Sequence, residues 1–522
     1  MLLDTLPGWL LRPLVELVNE WDWLGRKVNA AVINSVVNVC RHRPHPWSTV
    51  HDYVSWTSLT DQRWSARHLP AVDIPGLPAP EALAPLFQRR PGGQVSCRKS
   101  TCLFPSFAQY LTDSFIRTRM PNKSKHEDED LRRQNTSNHQ IDLCPLYGRT
   151  AAQTEALRLK SEKRGERGRL KTQRIGEEEF APYLKDGGRT KNEFESLDEP
   201  LGIDNVADPD QLAHIFAFGG DRVNSAPQVA MMNTLFLREH NRIAGEIERR
   251  NEGWDDERVF QTARNIAIVL FIKIVVEEYI NHIAPTPLRF RADPAVAWNA
   301  PWNKPNWITT EFSLLYRWHS LIPDTISWNG TDYAVGSTIM DNRPLIGAGL
   351  ARAFADMSAQ RAARLGHFNT AEALLGFEML AIAQGRRCRV APYADYRAYV
   401  GLPRPQRFED VSADPSVVAF LKNVYKSPDQ IEFYVGLFAE DTVENSPLPQ
   451  LILRMVAVDA FSQALTNPLL SEHVFNKDTF TPFGLDMIES THTLRDILAR
   501  NSPTSLGNAR ISLTQAEWQY QW

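Results

Sequence analysis

The sequence predicts a mainly α-helical protein. Residues 230–250, AMMNTLFLREHNRIAGEIERR, carry apolar side chains at helical spacing and charges on the opposite face. Residues 259–283, VFQTARNIAIVLFIKIVVEEYINHI, are apolar on nearly every side, which is typical of a buried helix. Little of the chain shows the alternation of apolar and polar residues that indicates strands. With 522 residues, 43% of them hydrophobic, the chain can bury a large core around such helices.

Bulk composition narrows the classes of function. A net charge of −4 gives no support to a nucleic-acid partner. Five cysteines, an odd number, argue against a disulfide framework. Cys97 and Cys102 could pair in an oxidising compartment, but two free thiols are favoured. The start of the chain lacks the basic residues of a secretory signal, and the longest apolar run, residues 266–276, is shorter than the ~20 residues of a membrane span. We therefore expect a cytoplasmic protein.

Residues 1–43 form a distinct N-terminal region. Short apolar clusters are broken here by single charges and prolines, and Trp9, Trp21 and Trp23 lie among many Leu and Val residues. The pattern predicts several short amphipathic helices. Such helices can lie in a membrane interface with Trp at headgroup depth, or they can form an arm packed on the main domain. The residues alone leave both interpretations open.

The stretch EFSLLYRWHSLIPD, residues 311–324, concentrates candidate functional side chains. If it is helical throughout, Tyr316 and His319 lie three positions apart and point to the same side. A histidine one turn from a tyrosine in an apolar segment is compatible with an iron ligand beside a redox-active phenol. Spacing alone, however, favours a core helix with an aromatic stripe.

Two further segments offer polar groups in apolar surroundings. In FPSFAQYLTDSFIRT, residues 104–118, Gln109 and Asp113 are four apart and share one helical face. Tyr279 lies near the end of the long apolar helix, where a buried phenol needs a hydrogen-bond partner. In the simpler interpretation, Gln109 and Asp113 lie on the solvent-exposed face of an amphipathic helix.

Taken together and in order, these segments resemble the haem peroxidase and cyclooxygenase superfamily, specifically its prostaglandin synthase and fatty-acid dioxygenase branch. The resemblance runs from the N-terminal helices to about Ser471. It rests on FAQYLTDSFIRT, LREHNR, IKIVVEEYINH, EFSLLYRWHSLIPD, IEFYVGL and MVAVDAFS followed by NPLLS, with HDYVSW near residue 51. The resemblance implies an animal haem peroxidase-like helical fold, with residues 44–522 as the catalytic domain after the N-terminal helices.

The resemblance also implies roles for individual residues. His319 matches the proximal haem ligand and hence the iron ligand, and Tyr316 matches the tyrosine that becomes a radical. Tyr279 matches a phenol that hydrogen-bonds that tyrosine. Gln109 matches the distal glutamine, and Tyr434 matches a tyrosine behind the proximal histidine that would orient it. Trp318, beside the ligand, is expected to contact the cofactor.

The implied chemistry is radical oxygenation of a lipid. Haem b, after reaction with a hydroperoxide, would oxidise Tyr316, and the tyrosyl radical would take a hydrogen atom from an unsaturated fatty acid. O2 would then add to the carbon radical, giving a linear hydroperoxide as the expected product. Fatty acid and O2 are thus the expected partners, without nucleic acid. The N-terminal helices would serve as a monotopic unit for peripheral membrane contact, and a homodimer is compatible with the family.

The chain departs from the family pattern at the distal position, where Asp113 replaces a histidine that moves a proton between peroxide oxygens. An ionised Asp could act as a base, but its reference pKa of ~4 is low for this task. An ester of Asp113 to a haem methyl is a less favoured alternative. Two other functions therefore stay open: a haem peroxidase of small reductants, and a haem-binding relative that has lost peroxidase activity.

The channel residues differ as well. The arginine that pairs with a fatty-acid carboxylate aligns best with Arg41, with Arg43, Arg289 and Arg291 as substitutes. Ser462 corresponds to the serine acetylated by aspirin in cyclooxygenases through a short deletion, and it is expected to contact substrate. Nearby, Asp459 replaces a channel glycine, which would narrow or polarise the channel.

Overall fold

The computed structural model describes residues 8–39, 49–50, 61–121, 126–304, 308–503 and 506–521. Helices dominate it, as predicted. The longer helices are α1 (Gly8–Glu20), α2 (Asp22–Val37), α3 (Leu103–Asp113), α4 (Ala151–Leu157), α5 (Pro227–Arg250), α6 (Asp256–Ile274), α7 (Thr310–Leu315), α8 (Arg343–Ala348), α9 (Leu350–Ala359), α10 (Leu375–Arg387), α11 (Tyr393–Tyr399), α12 (Pro415–Val424), α13 (Phe433–Ala439), α14 (Gln450–Leu465), α15 (Lys477–Ser490) and α16 (Leu494–Asn501).

Short helical turns connect these elements. Single turns of α-helix are Ala84–Phe87, Cys144–Tyr147, Pro209–Ala213, Asn281–Ile283 and Ala295–Trp298. Turns of 3₁₀ helix are Pro80–Leu83, Glu129–Arg133, Asn192–Phe194, Ile203–Asn205, Val223–Ser225, His319–Leu321, Val335–Thr338, Glu372–Leu374, Phe408–Asp410, Pro428–Gln430 and Pro468–Leu470. One π-helical stretch, Val275–Ile280, continues α6.

The strands are short and pair two by two. They are β1 (Ser96–Thr101), β2 (Gln173–Ile175), β3 (Glu178–Phe180), β4 (Lys185–Asp186), β5 (Arg189–Thr190), β6 (Thr325–Trp328), β7 (Thr331–Ala334) and β8 (Arg361–Ala363). The antiparallel pairs are β1–β8, β2–β3, β4–β5 and β6–β7. Only β1 and β8 join distant parts of the sequence, so the helices carry the architecture. The prediction of a mainly α-helical fold is confirmed.

Helices α5 and α6 form the centre of the core. Pro227 opens α5 at the position where its missing N–H is not needed, and the side chain of Asp255 caps α6 by accepting a hydrogen bond from the Arg258 N–H at 2.8 Å. Phe236 and Phe271 meet edge-on between the two helices, with ring centroids 5.1 Å apart. The helical stretch Asp256–Ile283 is apolar and long enough to cross a membrane, but 83% of its most apolar window is buried inside the protein. That burial is what a core helix requires.

The N-terminal helices pack on the main body through polar contacts. The Asn19 side chain donates to the Pro287 carbonyl at 3.0 Å, and Asn29 donates to the Arg291 carbonyl at 3.2 Å. Trp21 and Trp23 nevertheless stay 59% and 64% exposed. Both sequence interpretations thus keep support, and the domain division at residue 43 stays a prediction.

The described cysteines are unpaired. Cys97, Cys102, Cys144 and Cys388 are all free and buried. The preference for free thiols at Cys97 and Cys102 is therefore confirmed.

Candidate active site

The segment that carries Tyr316 and His319 is not one helix, and that prediction is wrong. Helix α7 ends at Leu315, and His319 begins a separate 3₁₀ turn. The break has a local cause: the Trp318 indole N–H donates to the Leu315 carbonyl at 2.6 Å, so a side chain takes an acceptor at the helix end. The orientations of the Tyr316 and His319 side chains are therefore set by this break and not by helical spacing.

Tyr316 lies in a buried aromatic cage. Its ring stacks on Trp318 with centroids 4.6 Å apart, and Phe312 meets it edge-on at 4.8 Å. The Tyr279 hydroxyl donates a hydrogen bond to the Tyr316 oxygen at 3.2 Å, as predicted from the resemblance. Burial raises the pKa of Tyr316 well above its ordinary value. The phenol is therefore neutral near pH 7 and reacts only if it loses its proton together with an electron.

Tyr279 lies on the π-helical stretch after α6. Such stretches often occur at functional sites, because one extra residue per turn shifts where the following side chains point. The Tyr279 ring is fully buried and packs on Phe104 and Phe107, with centroid distances of 5.6 and 5.7 Å. Both phenylalanines belong to α3, so the tyrosine pair is wedged against the predicted distal helix.

Trp318 was predicted to contact the cofactor. Apart from Tyr316, its ring packs on Phe104 at 5.6 Å, and its N–H is used by the helix end. In the structure, Trp318 therefore packs against Tyr316 and helps to hold its ring in place. Contact of Trp318 with the cofactor stays a prediction.

His319 has the surroundings of a metal ligand. Its Nδ1 lies 3.3 Å from Oε1 of Glu378, and its side chain stays 22% exposed although the segment around it is buried. The two nitrogens of an imidazole point to opposite sides, so this contact leaves Nε2 available for iron. The ring stacks on Phe377, itself 46% exposed, which offers an apolar surface beside the histidine. These features fit a haem ligated by Nε2.

Glu378 is a site residue that the sequence did not reveal. The Tyr434 hydroxyl donates to its Oε2, and Tyr434 lies 3.5 Å from the Arg317 carbonyl. The predicted place of Tyr434 behind His319 is therefore observed, but it reaches the histidine through the carboxylate. The one available signal was a single acid in the apolar run LLGFEMLAIA, residues 374–383.

On the predicted distal side, Gln109 and Asp113 share helix α3. The Gln109 side chain donates to the Ser225 hydroxyl at 2.8 Å. Asp113 is half-buried, but its Oδ2 atom is buried and finds no hydrogen-bond partner among the described residues. Burial raises its pKa to about 7, with Asp221 acting in the same direction and Arg222 against it. The low basicity expected of an ordinary aspartate therefore does not apply here.

Arg222 links the two sides of the cleft. Its charge acts on Asp113 on α3 and also on Arg317, beside His319. The pKa of Arg317 is lowered, first by burial and then by Arg222. Two guanidinium groups close enough to act on each other favour a bound anion, and a haem carboxylate would meet that need. We regard this as a second fit between the residues present and a haem.

The predicted substrate residues are only partly described. Arg41 and Arg43 lie outside the described residues, as does HDYVSW. Arg291, named as a substitute, uses its guanidinium to bind Asp22 on α2. Ser462 is buried, and its hydroxyl donates to the Asp459 carbonyl of its own helix at 3.1 Å. Its contact with substrate stays a prediction.

Asp459, the residue in place of a channel glycine, is buried and paired. His68 Nε2 lies 2.8 Å from its Oδ1, and the Thr309 hydroxyl donates to its Oδ2 at 3.3 Å. The negative charge of Asp459 also raises the pKa of Tyr316, after the larger effect of burial. Asp459 therefore acts electrostatically on Tyr316, and its narrowing or polarising of a substrate channel stays a prediction.

We expect Asp113→Asn to stabilise the protein more at pH 8 than at pH 5. The pKa of Asp113 in the folded state, about 7, exceeds its ordinary value of 3.8. The folded state therefore binds a proton that the unfolded state has lost, and stability falls as pH rises between those values. The gain from Asn would reach at most about 4 kcal/mol at pH 8. Thermal unfolding at both pH values measures it, with exposed Asp332→Asn as control; equal shifts at the two pH values would contradict a raised pKa.

The helical fold and the cleft at His319 place the protein in the class of helical haem proteins. The family model for animal haem peroxidase matches residues 94–511. The chain therefore belongs to the animal haem peroxidase family, a family of haem-iron oxidoreductases.

Relatives specify the branch. Mouse prostaglandin G/H synthase 1 is 28% identical over 512 residues, covering 94% of this chain and 80% of the relative. Horse prostaglandin G/H synthase 2 is 26% identical, covering 93% and 78%. Among solved structures, rice fatty acid alpha-dioxygenase matches with a TM-score of 0.67 and 18% identity over 87% of this chain and 84% of its own. Peroxidase A of Dictyostelium discoideum matches at 0.66 and 19%, covering 90% and 95%. The predicted superfamily and helical fold are confirmed.

Proposed function

We propose that the protein is a haem-dependent dioxygenase that converts an unsaturated fatty acid into a hydroperoxide through a radical on Tyr316. The observation that carries this proposal is the buried hydrogen bond between the Tyr279 and Tyr316 hydroxyls, three residues from the exposed edge of His319. A peroxidase of small reductants has no need of a buried tyrosine pair. A lipid oxygenase can use one, because acids and bases cannot remove the hydrogen atom of an unactivated C–H bond and a tyrosyl radical can.

The residues of this chain would divide the work. Haem b, bound through His319, would supply a one-electron oxidant after reaction with a hydroperoxide. Tyr316 would give up its electron and proton, and Tyr279 would hold the resulting oxygen radical in place through its hydrogen bond. The aromatic cage would exclude water from that radical.

In the proposed reaction, Tyr316 takes one hydrogen atom from the substrate and returns it at the end. The Tyr316 oxygen takes a hydrogen atom from a substrate C–H bond, so an O–H bond forms as the C–H bond breaks. O2 adds to the carbon radical, and the peroxyl radical then takes the hydrogen atom back from Tyr316. The product is a hydroperoxide, and the tyrosyl radical is restored for the next turnover.

The relatives support a lipid substrate. The rice structure is named a fatty acid alpha-dioxygenase, and the mouse and horse relatives are named prostaglandin G/H synthases. Which carbon receives oxygen depends on how the substrate is held beside Tyr316. The polar pair of His68 and Asp459 lies in that region.

Oxygen consumption tests the proposal directly. The haem-loaded protein, given a trace of hydroperoxide, is expected to consume O2 with unsaturated C18 and C20 fatty acids and to release a linear hydroperoxide. Saturated fatty acids of equal length are the matched controls. Fast oxidation of guaiacol without O2 uptake would replace the proposal with a peroxidase, and haem binding without either activity would indicate a relative that has lost catalysis.

We also propose that the protein is cytoplasmic and that its N-terminal helices hold it peripherally on a membrane. Leu14, Leu17, Trp21 and Trp23 are between 41% and 64% exposed, which gives α1 and α2 an apolar outer surface. We expect the double variant Trp21→Ser and Trp23→Ser to lose binding in liposome sedimentation. Leu201→Ser, at a residue that is 42% exposed elsewhere, is the control. Unchanged binding of the double variant would make the arm structural. A homodimer stays a prediction.

A further inference from the structure

A carboxylate stands behind the proposed iron ligand. Glu378 lies on α10 and is only 1% exposed. Its Oε1 is 3.3 Å from Nδ1 of His319, and this nitrogen is buried without another partner among the described residues. In the present ring orientation this contact has the distance of an ion pair but not the geometry of a hydrogen bond, and no other described group bonds to Nδ1.

Two hydroxyls share the same carboxylate. The Thr370 hydroxyl donates to Oε1 at 2.8 Å, and the Tyr434 hydroxyl donates to Oε2. The charge of Glu378 also raises the pKa of Arg317, against the larger lowering by burial. A buried carboxylate is costly unless its oxygens are satisfied. Here two hydroxyls donate to it, and Nδ1 of the proposed ligand lies 3.3 Å from the same carboxylate.

We propose that Glu378 is a positioning residue that accepts a hydrogen bond from Nδ1–H of His319. This inference deepens the proposed function and rests on iron ligation by His319. The bond would fix the tautomer in which Nε2 carries the lone pair, and it would hold the ring plane. It would also make the imidazole a stronger electron donor to the iron.

A stronger donor has a measurable consequence. It stabilises ferric over ferrous haem, which lowers the reduction potential, and it stiffens the bond between iron and histidine. Tyr434 and Thr370 act in the opposite direction, because each draws electron density from the carboxylate that His319 uses. Removing Glu378 and removing Tyr434 should therefore change the reduction potential of the iron in opposite directions.

That opposition separates the proposal from a structural role. If Glu378 only accepts hydrogen bonds from Tyr434 and Thr370, every substitution in this cluster loosens the core. The substitutions at Glu378 and Tyr434 would then not shift the reduction potential in opposite directions. Glu440 offers a matched comparison: it is also buried, it accepts from the buried Tyr393 hydroxyl, and no histidine bonds to it among the described residues.

The experiment compares haem-loaded wild type with Glu378→Gln, Glu378→Asp, Tyr434→Phe and Glu440→Gln. It measures the ferric/ferrous midpoint potential by spectroelectrochemistry and the iron–histidine stretching band of ferrous protein by resonance Raman. We expect Glu378→Gln to raise the potential and lower the band frequency, Tyr434→Phe to do the reverse, and Glu378→Asp to recover part of the wild-type values. Glu440→Gln should lower the unfolding temperature and leave both readouts unchanged.

Two results would overturn the inference. One is a Glu378→Gln protein whose potential and band equal those of wild type. The other, decisive where Glu378→Gln fails to load haem, is a Tyr434→Phe protein with unchanged values. The variant His319→Ala distinguishes a wrong role for Glu378 from a wrong iron ligand. If that variant keeps the iron–histidine band, another histidine ligates the iron, and the assignment of His319 as the haem ligand is wrong.

Discussion

His319→Ala is expected to abolish stable haem binding. His319 is the described residue proposed to ligate the iron, and its neighbours Arg317 and Phe377 cannot bond to a metal. Loss of the iron–nitrogen bond should remove the Soret band from protein purified with added haem. Because a ligand that binds the folded state stabilises it, the variant should also lose the rise in unfolding temperature that haem gives the wild type.

Absorption spectra and haem titrations measure the effect. Imidazole added to the variant should restore part of the Soret band, since it can occupy the space left by the side chain. His492→Ala is the matched control, because His492 is 59% exposed and bonds to Glu277, away from the cleft. Full haem occupancy in His319→Ala without added imidazole would show that a different residue ligates the iron.

The helical architecture could be predicted because its signals are local and repeated. In α5 and α6 every turn contributes an apolar residue to the buried face, so many positions support the same conclusion. The end of α7 could not be predicted in this way. It depends on one side chain, Trp318, turning back onto the Leu315 carbonyl, and the same letters are compatible with a continuous helix.

The tyrosine pair shows a different limit. Tyr279 and Tyr316 are 37 residues apart, and only the order of family segments suggested that they meet. Their contact depends on the π-helical stretch at Val275–Ile280, whose extra residue per turn has no sequence signature. A resemblance can therefore transfer a contact between two residues without giving the backbone feature that creates it.

Glu378 and Arg222 lay beyond the reach of sequence altogether. Neither belongs to a segment that carried the resemblance, and a lone charge in a helix is usually solvated. What distinguishes them is their surroundings in the folded protein: Glu378 accepts from two buried hydroxyls 3.3 Å from His319, and the charge of Arg222 acts on both Asp113 and Arg317. Such convergence is a property of the folded chain. It also corrects the view of Asp113, since burial moves its pKa into the range where proton transfer near pH 7 is feasible.

Tyr316→Phe is expected to lower O2 uptake with unsaturated fatty acids by at least about 100-fold, because Tyr316 is the group proposed to take the hydrogen atom from the substrate. The substitution removes one oxygen from a cage formed by Phe312, Trp318 and Tyr279. The ring still fills its place, so the fold and the Soret band should be retained. Tyr279 then loses the acceptor of its hydrogen bond, at a cost to unfolding free energy of about 1–2 kcal/mol.

The measurement combines an oxygen electrode with electron paramagnetic resonance after addition of hydroperoxide. Wild type should show a tyrosyl signal that Tyr316→Phe lacks, while Tyr333→Phe on β7 should keep both signal and uptake. Tyr279→Phe should keep the signal but broaden it, because the radical then loses the hydrogen bond that fixes its orientation. Unchanged O2 uptake in Tyr316→Phe would reject the tyrosyl mechanism. If guaiacol oxidation persisted in that variant while lipid oxygenation vanished, the haem reaction and the lipid reaction would be separate functions joined by Tyr316, because only the second needs an oxidant that touches the fatty acid.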